Sequence, residues 1–242
     1  MTSMECGLLP TTRACLFDLD GVLTNTATLH AAAWKRMFDE FLRGWASGAG
    51  RPFEPFDAVH DYARYVDGKL RLDGARAFLA ARGIALDDAR VAELAARKDA
   101  LVIERMRADG VPAYPGSVRY LHATRAAGLR TAVVSASRHC QEALAAAGIA
   151  ALFDARIDGQ VAAAAHLAGK PAPDTYLAAA RAVGVTPAEA AVFEDALAGV
   201  AAGHAGHFGL VIGVDRVGQA AALRDNGADR VVSDLAALLE AA

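Results

Sequence analysis

The sequence predicts an α/β protein: a parallel sheet covered by helices on both faces, with an all-helical segment inserted after the first strand. Three observations carry this. Short apolar, β-rich runs recur along the chain, alanine-rich segments of helical period separate the later ones, and the stretch from about Thr26 to Val111 holds helical period without a convincing strand. The expected division is a sheet core over 1–25 and 112–242 and a helical cap over 26–111.

The strand runs are "ACLFDLD" from Ala14, "RTAVVSAS" from Arg130, "AAVFEDA" from Ala190, "FGLVIGVD" from Phe208 and "RVVSD" from Arg230. Between the later ones lie "PGSVRYLHATRAAG", "RHCQEALAAAGI" and "PDTYLAAARAVGV", each punctuated by a glycine suited to a helix C-terminus. Strands that alternate with helices pair in parallel and are buried on both faces. In the inserted segment, "LHAAAWKRMFDEFL", "DGARAFLAARG" and "DARVAELAARKDALVIERMRADG" all have helical period. Its two links to the core, "TNTAT" and "DGVPAYPG", carry the breakers expected of a hinge.

Composition narrows the function. A chain of 242 residues with 54% hydrophobic content can bury a substantial core. A net charge of −3 leaves no basic stripe, so neither nucleic acid nor an anionic membrane is the expected partner. Cys6, Cys15 and Cys140 show no CxxC spacing and are expected to be reduced thiols of a cytoplasmic protein. No apolar run reaches membrane-spanning length, and "MTSMECGLLPTTR" lacks the pattern of a secretory signal.

Polar residues gather at the carboxyl ends of three strand runs: Asp18 and Asp20, Ser135 and Ser137, Glu194 and Asp195. Ligands of open α/β sheets bind beyond those ends. Taken alone, Asp20-Gly21 is a common turn. Four acids at one sheet edge repel one another unless a hard cation with oxygen ligands, Mg²⁺ above all, neutralises them. Asp18 then suits a nucleophile that forms an aspartyl-phosphate, and Asp20 a general acid and base. Lys170 and the "SAS" amides and hydroxyl supply charge and donors for a moving phosphoryl group. His204 and His207 lack a third ligand nearby, and Cys140 lacks a partner base, so both are read as ordinary structural residues.

"LFDLDGVLTNT", "VVSAS", "GKPAPD" and "VFEDALAG", in this order and spacing, resemble the four motifs of the haloacid dehalogenase-like superfamily of phosphatases and phosphomutases. The resemblance covers essentially the whole chain and implies a Rossmann-like, doubly wound core with a mobile helical cap. It implies Asp18 as nucleophile and Asp20 as acid/base. Asp18, Asp20 through its carbonyl, Glu194 and Asp195 are implied around Mg²⁺, and Ser135, Ala136 and Lys170 around the phosphoryl group. "FDLDGVLTNTATLHAAAWK" and "DGKLRLDG" resemble the β-phosphoglucomutase-like family more closely. That implies substrate-facing roles for Thr26, His30, Gly68, Lys69, Arg71, Lys98, Ser137 and Arg138, with Arg71 on a distal sugar phosphate. Leu70, Asp99, His139 and Ala196 depart from that family's pattern, which holds serine, asparagine, asparagine and serine there. The resemblance leaves a mutase, a sugar-phosphate phosphatase and, as a third reading, a silent binding module. The implied partner is a small sugar phosphate, acted on by a monomer or weak homodimer.

Overall fold

The computed structural model describes residues 2–240. In chain order the elements are β1 (Ala14–Asp18), α1 (Ala27–Ala49), α2 (Arg71–Ala81), α3 (Asp88–Asp109), α4 (Pro115–Ala126), β2 (Arg130–Val134), α5 (Cys140–Ala146), β3 (Ala155–Ile157), α6 (Gly159–Ala164), α7 (Asp174–Ala182), β4 (Ala190–Glu194), α8 (Leu197–Ala205), β5 (Leu210–Val214), α9 (Ala220–Asp225), β6 (Arg230–Val232) and α10 (Ala237–Glu240). The six strands form one sheet in the order β3-β2-β1-β4-β5-β6, and every pairing is parallel. The α/β expectation holds. The strand the sequence reading lacked is β3, a three-residue edge strand only partly buried, too short for its period to register.

Strand alternation splits the apolar residues between two faces. Cys15, Phe17, Val133, Phe193 and Ile212 meet residues of α4, α5 and α10 on one side. Leu16, Val134, Val192 and Val211 meet those of α7 and α8 on the other. All five residues of β1 are buried, as a strand covered on both faces requires.

Between β1 and α4 the described residues hold helices and no strand. These helices bury a core of their own, rich in aromatics: Phe38 lies 4.2 Å from Phe78 and 5.2 Å from Phe56, ring centre to ring centre. One turn the period did not foretell, Tyr62–Val66, is a π-helix, a form frequent at functional sites. The two crossings between cap and sheet lie side by side. Thr24 bridges Ala113 antiparallel, the Asn25 amide donates to the Pro112 carbonyl at 2.9 Å, and the Tyr114 amide donates to the Leu23 carbonyl at 2.9 Å. Among the described residues no helix is long and apolar enough to cross a membrane.

Candidate active site

A sheet ordered 3-2-1-4-5-6 reverses its winding between β1 and β4, and ligands bind beyond the carboxyl ends there. Asp18 ends β1 and Glu194 ends β4, each one residue past the paired Phe17 and Phe193. Both acids are therefore delivered to the crevice by the strands themselves. Asp195 follows directly, and carboxylate oxygens of Asp18, Glu194 and Asp195 all lie within 4.8 Å of one another.

Lys170, on the loop before α7, reaches into this cluster. Its Nζ donates to Asp18 Oδ1 at 2.5 Å and also to Glu194 Oε1. Glu194 further accepts from the Tyr176 hydroxyl at 2.9 Å and the Ala196 amide at 3.0 Å. Glycines make the room. At Gly21, whose φ is +85°, a Cβ would sit 1.7 Å from Asp195 Oδ2, and at Gly199 one would sit 1.8 Å from Glu194 Oε1. Ser135 is buried at the end of β2, and its hydroxyl accepts from the Ser137 amide at 3.1 Å. Ser137, Ala136 and Arg138 line the same pocket as Asp18.

Burial and mutual repulsion set the charges. Burial raises Asp18 well above the usual carboxylate range; Glu194 and Asp20 push the same way, and Lys170 opposes them. Asp195 is likewise raised, by burial first and then by Asp67, Asp18 and Glu194. Burial alone would lower Lys170, but Asp18 and Glu194 outweigh it and hold the ammonium charged. Three buried carboxylates with oxygen donors only, two of them poorly compensated, suit a hard divalent cation such as Mg²⁺. Asp18 and Asp195, with the carbonyl of Asp20, would hold it, Glu194 standing beside or behind them.

Asp20 lies past the strand end, in an isolated bridge with Thr24, and its carboxylate faces the cap. It accepts from the Thr26 hydroxyl and faces His30 Nε2 at 3.4 Å. His30 Nδ1 in turn lies 2.7 Å from Lys98 Nζ, and that ammonium sits 5.2 Å from the Trp34 ring centre. A lysine ammonium only donates, so His30 stands between a donor on one ring nitrogen and the Asp20 carboxylate near the other. Burial works against charge on Asp20, but His30, Thr26 and Lys98 prevail and lower its carboxyl to about 2.

The cap closes the pocket from the far side. Gly68 packs on the Asp195–Ala196 turn: a Cβ there would sit 3.0 Å from the Ala196 Cβ. Lys69 lines the pocket, and its Nζ donates to the Arg64 carbonyl at 3.4 Å. Arg71 also lines it and pairs with Asp99, whose Oδ2 is 3.1 Å from His139 Nε2 on the sheet side. Arg71 makes this pair through Nη1, while its Nε is buried without a hydrogen-bond acceptor. Sequence reading passed over two cap residues on the pocket wall, Tyr62 and Asp67. Burial, with Glu194 next, raises the Asp67 carboxyl to about 7. "YVDG", beside the Gly-Lys-Leu-Arg loop already singled out, was the available signal.

A capped parallel sheet with acids and a lysine at its switch point defines a class: phosphotransferases and phosphatases acting on phosphate esters. Residues 12–207 match the haloacid dehalogenase-like hydrolase family. A β-phosphoglucomutase of Mycobacterium bovis is 52% identical over 249 aligned residues, covering 98% of this chain and 95% of that one. Hexitol phosphatase A of Escherichia coli is 32% identical, covering 78% and 76%. The solved β-phosphoglucomutase of Clostridium difficile shares the fold with a TM-score of 0.76 at 24% identity, over 94% of this chain and 93% of that one. The chain belongs to the haloacid dehalogenase-like hydrolase family and is an enzyme of its phosphotransferase and phosphatase branch.

Proposed function

We propose that the protein is a Mg²⁺-dependent β-phosphoglucomutase, converting β-D-glucose 1-phosphate to glucose 6-phosphate through a phosphorylated Asp18. The observation that carries this reading is Arg71: a cap guanidinium on the wall of the pocket that holds Asp18, with its buried Nε lacking an acceptor. A mutase needs a second phosphate grip opposite its nucleophile, and a phosphatase does not. The 52% identity to a β-phosphoglucomutase supports the same choice.

In this mechanism a bisphosphate places one phosphoryl group at Asp18 and the other at Arg71, with Ser137 and Arg138 alongside. An Asp18 oxygen bonds to phosphorus as the ester oxygen departs. Lys170, Ser135 and the Ala136 amide hold the transferring oxygens. Mg²⁺, when bound, neutralises the acids and the charge that builds on those oxygens. Asp20, held ionised by its cap contacts, accepts the proton of the sugar 6-hydroxyl as that oxygen attacks phospho-Asp18. The sugar then turns end for end, and Asp20 returns the proton to the departing O1, so proton and phosphoryl group are both conserved over the cycle. Thr26 and His30 on the cap supply two of the Asp20 contacts, so the acid/base is set when the cap is shut and water is excluded.

The test is a panel of sugar phosphates with catalytic bisphosphate, assayed for both glucose 6-phosphate and free phosphate. Glucose 6-phosphate from the β-1-phosphate is expected; phosphate alone overturns the mutase reading. A second reading, a sugar-phosphate phosphatase acting in the cytoplasm as a monomer or weak homodimer, is favoured by Asp99. Its carboxylate occupies the guanidinium that the mutase needs for the distal phosphate.

A further inference from the structure

We propose that Arg216 is the positioning residue of both chain crossings between sheet and cap, and that through them it fixes the backbone on which Asp20 rides. Arg216 stands two residues past the end of β5, on the ligand edge of the sheet, with its side chain 15% exposed. Every nitrogen of its guanidinium is engaged. Nε donates to the Gly21 carbonyl at 2.9 Å, and Nη2 lies 3.4 Å from the Val22 carbonyl and 3.3 Å from Ser117 Oγ. Nη1 donates to the Ser233 carbonyl at 2.9 Å and to Asp234 at 3.0 Å. The face of the guanidinium lies 3.8 Å from the ring centre of Tyr114.

These partners belong to three segments far apart in sequence, two of which are the chain crossings and the third the turn at Ser233 and Asp234. Gly21 and Val22 open the first crossing, immediately after Asp20; Tyr114 and Ser117 close the second. Ser117 ties them again by donating to the Val22 carbonyl at 2.7 Å, and the Tyr114 hydroxyl donates to Asn25 at 3.1 Å. A planar fork with five donors can hold two strands and a ring at once, which a point charge on a lysine cannot. Asp20 sits between this clamp and the Thr26 and His30 contacts on the cap, so a slack clamp displaces the acid/base without touching Asp18 or its lysine.

The inference requires the phosphoryl chemistry proposed above only for its kinetic arm. The first measurement is amide hydrogen exchange. In Arg216→Met, protection at residues 21–25 and 113–117 is expected to fall about tenfold or more, while that of β2 is unchanged. The second is steady-state turnover of β-glucose 1-phosphate, summed over glucose 6-phosphate and phosphate so that the acceptor does not matter. A misplacement near 1 Å predicts a kcat loss of about 10²-fold with KM within about threefold. Arg216→Lys is expected to fall between wild type and Arg216→Met in both measurements, and it decides the matter if the methionine variant does not fold. Unchanged protection, or a turnover loss confined to KM, overturns the proposal. Wild type without turnover overturns the proposed function and leaves the exchange result to judge Arg216.

Discussion

The sheet side and the cap side of the pocket each bury a lysine, and the two end in opposite states. Lys170 lies between Asp18 and Glu194, and its ammonium is stabilised despite complete burial. Lys98 has a ring nitrogen as its direct partner and only more distant help from Asp20 and Asp99, and burial lowers it to about 8. Burial of both lysines thus gives different outcomes because carboxylates touch one ammonium and lie farther from the other. On the sheet side Lys170 is paired with two acids before any ligand arrives, while burial still raises Asp18 and Asp195. The cap side keeps Lys98 poorly compensated and the buried Arg71 Nε without an acceptor, a surface prepared for an anion.

Replacing Asp18 by Asn strikes the sheet side where no neighbour can substitute. Turnover is expected to fall by at least about 10⁴-fold, read as loss of both glucose 6-phosphate and phosphate, with folding retained by circular dichroism. Turnover within tenfold of wild type would sink the nucleophile assignment. Lys170→Met removes the charge that the sheet side depends on and leaves Asp18 and Glu194 buried together. We expect a loss of about 3–5 kcal/mol in urea unfolding, partly restored by added Mg²⁺. An unchanged midpoint would show that the pair is not what holds that edge.

Arg71→Ala tests the cap side alone. Glucose 6-phosphate formation should drop about 10²-fold while phosphate release from a substrate with one phosphate changes far less. Equal losses in both would place Arg71 outside distal-phosphate recognition. The buried Lys98 gives a pH signature whose sign is fixed. Its folded value of about 8 lies below the ordinary 10.5, so the native state binds fewer protons across that window. Stability of wild type relative to Lys98→Met should therefore rise from pH 8 to 10.5, by about 3 kcal/mol at most. Parallel curves for the two proteins would refute it. Smallest is Asp99→Asn, which frees Arg71 from its carboxylate and should tighten inorganic phosphate or bisphosphate binding by about threefold to tenfold, measured by titration calorimetry. Weaker binding would mean that Asp99 orients Arg71 rather than competes for it.

Much of this was legible along the chain. The strand runs ending in Asp18, Ser135 and Glu194 announced a sheet edge, because a parallel sheet buries its strands and leaves its carboxyl ends for polar groups. Helical period marked α1, α2 and α3 as an insertion. Other features were hidden because their signal is contact rather than pattern. The edge strand β3 is three residues long, and the π-turn at Tyr62–Val66 has no periodic signature. The pairing of Lys98 with His30 spans 68 residues, and the meeting of Arg216 with Gly21 spans 195.

Local period was enough for the α/β architecture and the helical insertion, and the residues at the ends of the strand runs were enough for the identities of the sheet-edge acids. Tertiary structure alone decided how those residues are charged and held. Asp20 faces the cap rather than its neighbour Asp18, Arg71 meets Asp99, and one arginine beyond β5 gathers both hinges. The reason is physical: burial and distance set electrostatic energies and clamp geometries, and neither is written in the order of the chain.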